Sequence, residues 1–161
     1  PLTNPAGAPN QVMGVFGSEW IPVILEVLKQ LGSEHVLVVA SQDGLDEISI
    51  SAPTNVGELK DGVISTFEVT PEQFGITRQA DFASLQIDSV DASLNMLQQA
   101  LTAHHPAATD IVALNAGAAI YVAGVAESLE QGVTRAREAM QSGQALEKLQ
   151  ELVRFTQAYA A

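Results

Sequence analysis

The densest set of chemically capable side chains is Asp43-Gly44-Leu45-Asp46-Glu47, with three carboxylates in five residues. Carboxylate oxygens suit hard divalent cations. Mg²⁺ in particular takes one or two protein carboxylates and completes its shell with water and substrate phosphate. Asp46 and Glu47 are adjacent. Both can reach one ion only if the backbone there is not a regular strand, because successive strand side chains point to opposite faces. The spacing alone leaves a second reading open, that of a solvated acidic turn.

The other polar candidates have simpler explanations beside the chemical ones. His104-His105 could be a metal pair or favourable charge at a helix C-terminus. Asn115 lies in an apolar stretch and needs a hydrogen-bond partner, such as a neighbouring helix terminus. Arg135 and Arg137 read as solvated or paired with Glu130 and Glu138, and Trp20 as a core or interface residue. Pro1 to Asn10 holds three prolines and two asparagines, which suits either a stiff substrate-facing loop or a frayed terminus. The sequence contains no Gly-x-Ser-x-Gly, Walker loop, Gly-x-Gly-x-x-Gly or His-Glu-x-x-His. With no Cys, thiol nucleophiles and Cys-based zinc sites are excluded.

The acidic cluster follows a strand–helix–strand unit over residues 11–40. Gln11 to Phe16 reads as a buried strand, with Gly14 permitting close backbone approach. A helix capped by Ser18 runs to about Leu31, with Ile21, Ile24, Leu25, Leu28 and Leu31 on one face. His35 to Ala40 is a continuous aliphatic run, as in strands of a parallel sheet buried on both faces. The cluster therefore sits at the carboxyl edge of the sheet, where open α/β sheets place their ligands. Thr54 to Lys60 and Gly62 to Val69 flank Asp61-Gly62, a hairpin turn signal.

Residues 89–161 read as helices. Ser89 caps one with Val90, Leu94, Leu97 and Leu101 on one face, and residues 107–124 are apolar nearly all round, as in a helix buried on every side. Ser128 and Gln131 form a capping box for a helix burying Leu129, Val133, Ala136 and Met140. A last helix carries Leu146, Leu149, Leu152, Val153 and Phe155.

The chain has 161 residues, about one domain. Seven Lys and Arg against 19 Asp and Glu give a net charge of −12. That balance argues against nucleic acid and anionic membrane surfaces as partners. An anionic small ligand remains compatible where a metal ion meets it. No apolar run approaches the roughly 18 residues of a membrane span, and the expected location is cytoplasmic.

Three segments taken together, Pro1-Leu2-Thr3-Asn4-Pro5-Ala6, Asp43-Gly44-Leu45-Asp46-Glu47 and Val112-Ala113-Leu114-Asn115-Ala116-Gly117-Ala118-Ala119, resemble the anthranilate phosphoribosyltransferase family of tryptophan biosynthesis. The resemblance runs over essentially the whole chain. It implies an α/β fold with a partial, mostly parallel sheet flanked by helices and an inserted β-hairpin. This is the C-terminal part of the catalytic domain shared with nucleoside phosphorylases. Residues 1–10 would be a substrate loop, 41–88 the acidic loop and hairpin, and 89–161 helices. By this resemblance Asp46 and Glu47 hold Mg²⁺ against phosphoribosyl pyrophosphate, and Pro1 and Asn4 border the anthranilate channel. The implied reaction transfers the phosphoribosyl group to anthranilate with release of pyrophosphate.

The family's Gly-Thr-Gly-Gly-Asp phosphate loop and its Lys-His-Gly-Asn-Arg segment do not occur here. The resemblance therefore implies a fragment, inactive alone. Its exposed sheet edge would drive self-association or hold the missing half as a noncovalent partner, whereas intact members are homodimers. A pyrimidine nucleoside phosphorylase and a non-catalytic binding module of the same fold are the competing readings.

Overall fold

The aliphatic run His35–Ser41 forms the central strand β2, buried along nearly its whole length. The computed structural model describes Leu2 and residues 5–159. Within them, β1 (Asn10–Gly14), β2, β3 (Thr54–Lys60) and β4 (Val63–Val69) make one sheet in the order β1-β2-β3-β4. β1 and β2 are parallel, joined across α1 (Ile21–Gln30), as the strand–helix–strand reading expects. The hairpin is not a separate insertion. β3 pairs antiparallel with β2 from His35↔Lys60 to Ser41↔Thr54, and β4 pairs antiparallel with β3, so the sheet is mixed and its described part holds one parallel pair. The hairpin turn has φ 51° at Asp61 and 76° at Gly62. Two successive left-handed residues match the strand twist and explain the Asp-Gly pair.

Alternation along β2 divides the core into two layers. Val36, Val38 and Ala40 pack with Ile21, Leu25 and Leu28 of α1. Leu37 and Val39 face the other way, into a cluster with α3 (Pro106–Val122) and α4 (Leu129–Gln141). Gly57 lets α1 lie directly on β3, since a Cβ there would sit 2.2 Å from Ile21 Cγ2. The α3–α4 crossing is equally close. A Cβ on Gly132 would lie 2.2 Å from the Gly117 carbonyl oxygen.

Several local expectations change. Ser18 does not cap α1; it opens a short 3₁₀ turn, Ser18–Trp20, that leads into the helix without a side-chain cap. Leu31 is exposed rather than in the core. α3 buries one face against the sheet and α4, while Ala119 is exposed and several neighbours are half-buried. Alanine offers little apolar area, so such a helix need not be covered all round. The apolar face of α2 (Val90–Leu101) is largely uncovered, with Val90 85% and Leu94 51% exposed and only Ala100 buried. α5 (Gln144–Gln157) buries no residue, and Phe155 is 62% exposed. Ser89 and Ser128 do cap α2 and α4. Among the described residues, no helix is long and apolar enough to cross a membrane.

Candidate metal-carboxylate site

The acidic cluster lies in the connection between β2 and β3, at the carboxyl end of β2. Its two ends are drawn together by backbone bonds: Gln42 N–H donates to the Pro53 carbonyl at 2.9 Å, and Ser41 N–H to the Leu45 carbonyl at 3.0 Å. Gly44, with φ 90°, makes the tight turn between them.

The three carboxylates do not act together. Asp43 turns into the loop, where its Oδ2 accepts from the hydroxyls of Ser49 and Ser51, each at 2.5 Å, and its Oδ1 from Leu45 N–H at 3.3 Å. Burial pushes its carboxyl pKa up, but hydrogen bonds from Ser41, Ser49, Ser51 and Leu45 outweigh that and hold it below the ordinary 3.8. Asp43 is thus committed to holding the loop closed. Asp46 and Glu47 stay exposed on irregular backbone. Among the described residues no side-chain hydrogen bond or ion pair engages either carboxylate.

Two elements fix this exposed pair from below. Asn115, on α3, meets the main chain of Ile48 at two points: its Oδ1 accepts from Ile48 N–H at 2.9 Å, and its Nδ2 donates to the Ile48 carbonyl at 3.0 Å. The expected structural partner of Asn115 is therefore the acidic loop, not a helix terminus. On the other side the end of β1 runs under Asp46, where Gly14 leaves no room for a side chain.

This arrangement fits a hard cation. Two adjacent carboxylates project from non-strand backbone, unused by other groups and held at both flanks. Among the described residues no cluster of three or more His, Asp or Glu side chains could hold a metal. An ion at Asp46 and Glu47 would therefore draw its remaining ligands from water and a phosphorylated substrate, the mode Mg²⁺ favours.

The other candidates among the described residues make local contacts. Pro1 and Asn4, expected beside the substrate, lie outside the described residues. His104 Nδ1 lies 2.9 Å from Thr102 Oγ1, while His105 caps α3 by accepting from Ala108 N–H at 3.2 Å. The two Nδ1 atoms thus serve local contacts, and His105 opens a helix instead of closing one. Arg137 donates to the Phe74 carbonyl and to Asp110, not to Glu130 or Glu138. Trp20 is 43% exposed and leans on Phe16, with ring centroids 5.9 Å apart, so it is not a core residue. A network not foreseen in the sequence sits at the opposite end of β2. There Glu58 accepts from Tyr121 at 2.7 Å and meets His35 Nε2 at 2.7 Å, with Lys60 4.9 Å from the Tyr121 ring centroid. It ties β2 and β3 to α3, far from the acidic loop.

A mixed sheet with helices on both faces, carrying an anchored acidic loop at a strand's carboxyl end, defines an α/β domain whose exposed carboxylates stand where open α/β sheets place their ligands. Residues 1–146 match the model of the glycosyl transferase family, a/b domain, and the chain belongs to that family. It is 54% identical over 156 residues to anthranilate phosphoribosyltransferase of Thioalkalivibrio sulfidiphilus, covering 97% of this chain and 46% of that protein. It is 53% identical over 161 residues to the enzyme of that name from Methylococcus capsulatus, covering 100% of this chain and 47% of that one. The chain thus spans a little under half the length of the curated relatives it matches. Among solved structures, anthranilate phosphoribosyltransferase from Thermus thermophilus superposes with a TM-score of 0.86 at 36% identity, over 96% of this chain and 45% of that one. The Saccharomyces cerevisiae enzyme, in complex with PRPP and Mg, shares the fold at TM-score 0.75 and 22% identity, over 88% of this chain and 41% of that one.

Proposed function

We propose that the chain is the metal-binding, C-terminal portion of an anthranilate phosphoribosyltransferase. In this reading it takes part in transferring the phosphoribosyl group of phosphoribosyl pyrophosphate to the anthranilate amine, with release of pyrophosphate. The observation that carries the reading is the 54% identity to a protein of that activity over 97% of the chain. The free Asp46–Glu47 pair supports it independently.

In this reading Asp46 and Glu47 supply two carboxylate ligands to Mg²⁺. An ion held by this pair would supply neutralising charge for the departing pyrophosphate. The chain's own contribution is placement. Asp43 closes the loop, Asn115 and Gly14 set its height above the sheet, and the carboxylates meet the substrate at a fixed point, which is where positioning lowers a barrier. Pro1 and Asn4, in the substrate loop of residues 1–10, border the anthranilate. Residues 11–40 and 41–88 build the metal edge, and residues 89–161 buttress it. The reaction belongs to tryptophan biosynthesis in the cytoplasm.

The chain covers under half of its relatives, so we take the other half to be needed for turnover. The test is an anthranilate-fluorescence assay with Mg²⁺ and phosphoribosyl pyrophosphate. The chain is assayed alone and then mixed with the N-terminal portion of the Thioalkalivibrio protein. Expected is no turnover alone and Mg²⁺-dependent turnover on mixing, abolished by Asp46→Asn with Glu47→Gln. Turnover by the 161-residue chain alone would overturn the division of labour. Turnover of the mixture that survives the double substitution would overturn the metal assignment.

A further inference from the structure

We infer that Asn115 is a positioning residue for the metal carboxylates, an inference that rests on the metal reading above. Its carboxamide has two N–H donors and one oxygen. One donor goes to the Ile111 carbonyl one turn back on α3 at 3.0 Å, which fixes the side-chain rotamer. The other donor and the oxygen both go to Ile48. Ile48 N–H belongs to the peptide that carries the Glu47 carbonyl, and Ile48 C=O to the peptide that leads into Ser49. A two-point contact therefore sets the planes of both peptides, and the first of them, Glu47–Ile48, is one of the two that set the direction in which Glu47 leaves the backbone.

Asn115 is itself well fixed. Two residues on, Gly117 is pressed against α4 at Gly132. Ile48, 2% exposed, is gripped by the apolar core around it. A rigid path thus runs from α4 through α3 to the residue next to the carboxylate pair. A loop would otherwise lose backbone freedom when its carboxylates meet a cation; here the backbone beside them is already held at Ile48. Partners that orient a metal ligand commonly matter about 10–100-fold in metal affinity.

The test uses Mn²⁺ alone as a paramagnetic probe, titrated into the 161-residue chain while amide line broadening is followed. The wild-type chain should show selective broadening at Asp46, Glu47 and Ile48. Asn115→Ala and the near-isosteric Asn115→Asp, which keeps an acceptor for Ile48 N–H but loses both donors, should weaken that binding about 10–100-fold. Circular dichroism shows that each variant is folded, and the isosteric variant carries the test if the alanine variant is not. Tyr121→Phe is the control. It removes the Glu58 hydrogen bond from the same helix and should leave Mn²⁺ affinity unchanged. Unaltered affinity in a folded Asn115 variant, or equal weakening in Tyr121→Phe, overturns the inference while leaving the metal reading intact. Absence of selective broadening in the wild-type chain removes the metal reading and this inference together.

Discussion

A Cβ built on Gly14 would fall 1.5 Å from the carbonyl oxygen of Asp46, so the end of β1 and the acidic loop are in backbone contact. No side-chain rotation relieves such a clash. Gly14→Ala must push either the strand or the loop. We expect a loss of about 1–3 kcal/mol, typical of overpacking, together with weaker Mn²⁺ binding at Asp46 and Glu47. Urea unfolding and amide broadening measure the two effects. An alanine variant with unchanged stability and unchanged metal response would show that the loop does not rest on this glycine.

The three carboxylates of the cluster should respond unequally to neutralisation. Asp46→Asn and Glu47→Gln remove exposed, unengaged charge from a chain of net −12, so stability should stay within about 0.5 kcal/mol. Asp43→Asn strips an acceptor from two serine hydroxyls and an amide, at a cost of about 1–3 kcal/mol. Urea midpoints for the three variants separate the roles. Equal effects would dissolve the distinction between a loop-holding and a ligand carboxylate.

The pH dependence follows in sign from the same contacts. The Asp43 carboxyl has a folded pKa below its ordinary value, so its stabilisation is present above about pH 4, near the unfolded value, and is lost as pH falls through the folded one. Glu72 is also held down, to about 2, by hydrogen bonds from Arg78. That pair is exposed and therefore screened by salt. Between pH 4 and 2, Asp43→Asn should flatten the acid limb of the urea midpoint in both low and high salt. Glu72→Gln should do so only in low salt. If Asp43→Asn loses stability with acid as steeply as the wild-type chain, the hydroxyl contacts do not favour the carboxylate.

Much of this architecture was legible from pattern. The β2 run, the Asp61-Gly62 turn, the Ser89 and Ser128 caps and the close approach at Gly14 each follow from local rules. What was hidden is long-range. Asn115 meets Ile48 across 67 positions, and nothing near either residue announces the other. Only the general demand that a polar group in an apolar helix find a partner pointed to it. The Ser49 and Ser51 hydroxyls were the missed half of the acidic loop, because serines in a turn carry no signal of which carboxylate they serve. The outward faces of α2 and α5 misled for the opposite reason. Their periodicity marks an apolar stripe, but it does not say whether this chain covers that stripe.

The α3–α4 crossing offers a cleaner packing test. With Gly117 and Gly132 in mutual contact, a Cβ at Gly132 would meet the Gly117 carbonyl oxygen at 2.2 Å and one at Gly117 would meet Val133 N at 2.6 Å. Alanine has the higher helix propensity, by about 1 kcal/mol, so the intrinsic effect of either substitution is stabilising. Overpacking of roughly 1–3 kcal/mol or more should win. Each variant is expected to unfold at lower urea concentration than the wild-type chain. A gain in stability would mean that the helices separate freely and that α3 is a weaker buttress for Ile48 than its contacts indicate.

The uncovered stripes predict association. On α2 Val90, Leu94 and Leu97 are 85%, 51% and 40% exposed, and on α5 Leu152, Val153 and Phe155 are 56%, 44% and 62% exposed. Contiguous apolar surface of this kind marks a site of interaction. The net charge of −12 opposes it by mutual repulsion between copies. Added salt screens that repulsion, so sedimentation velocity should show larger species as protein concentration and ionic strength rise. Leu152→Ser with Phe155→Ser should shift the distribution back towards monomer without lowering the urea midpoint, because neither side chain is buried. A chain that stays monomeric throughout, or a double variant that associates as before, would mean that these faces are not where copies of the chain meet.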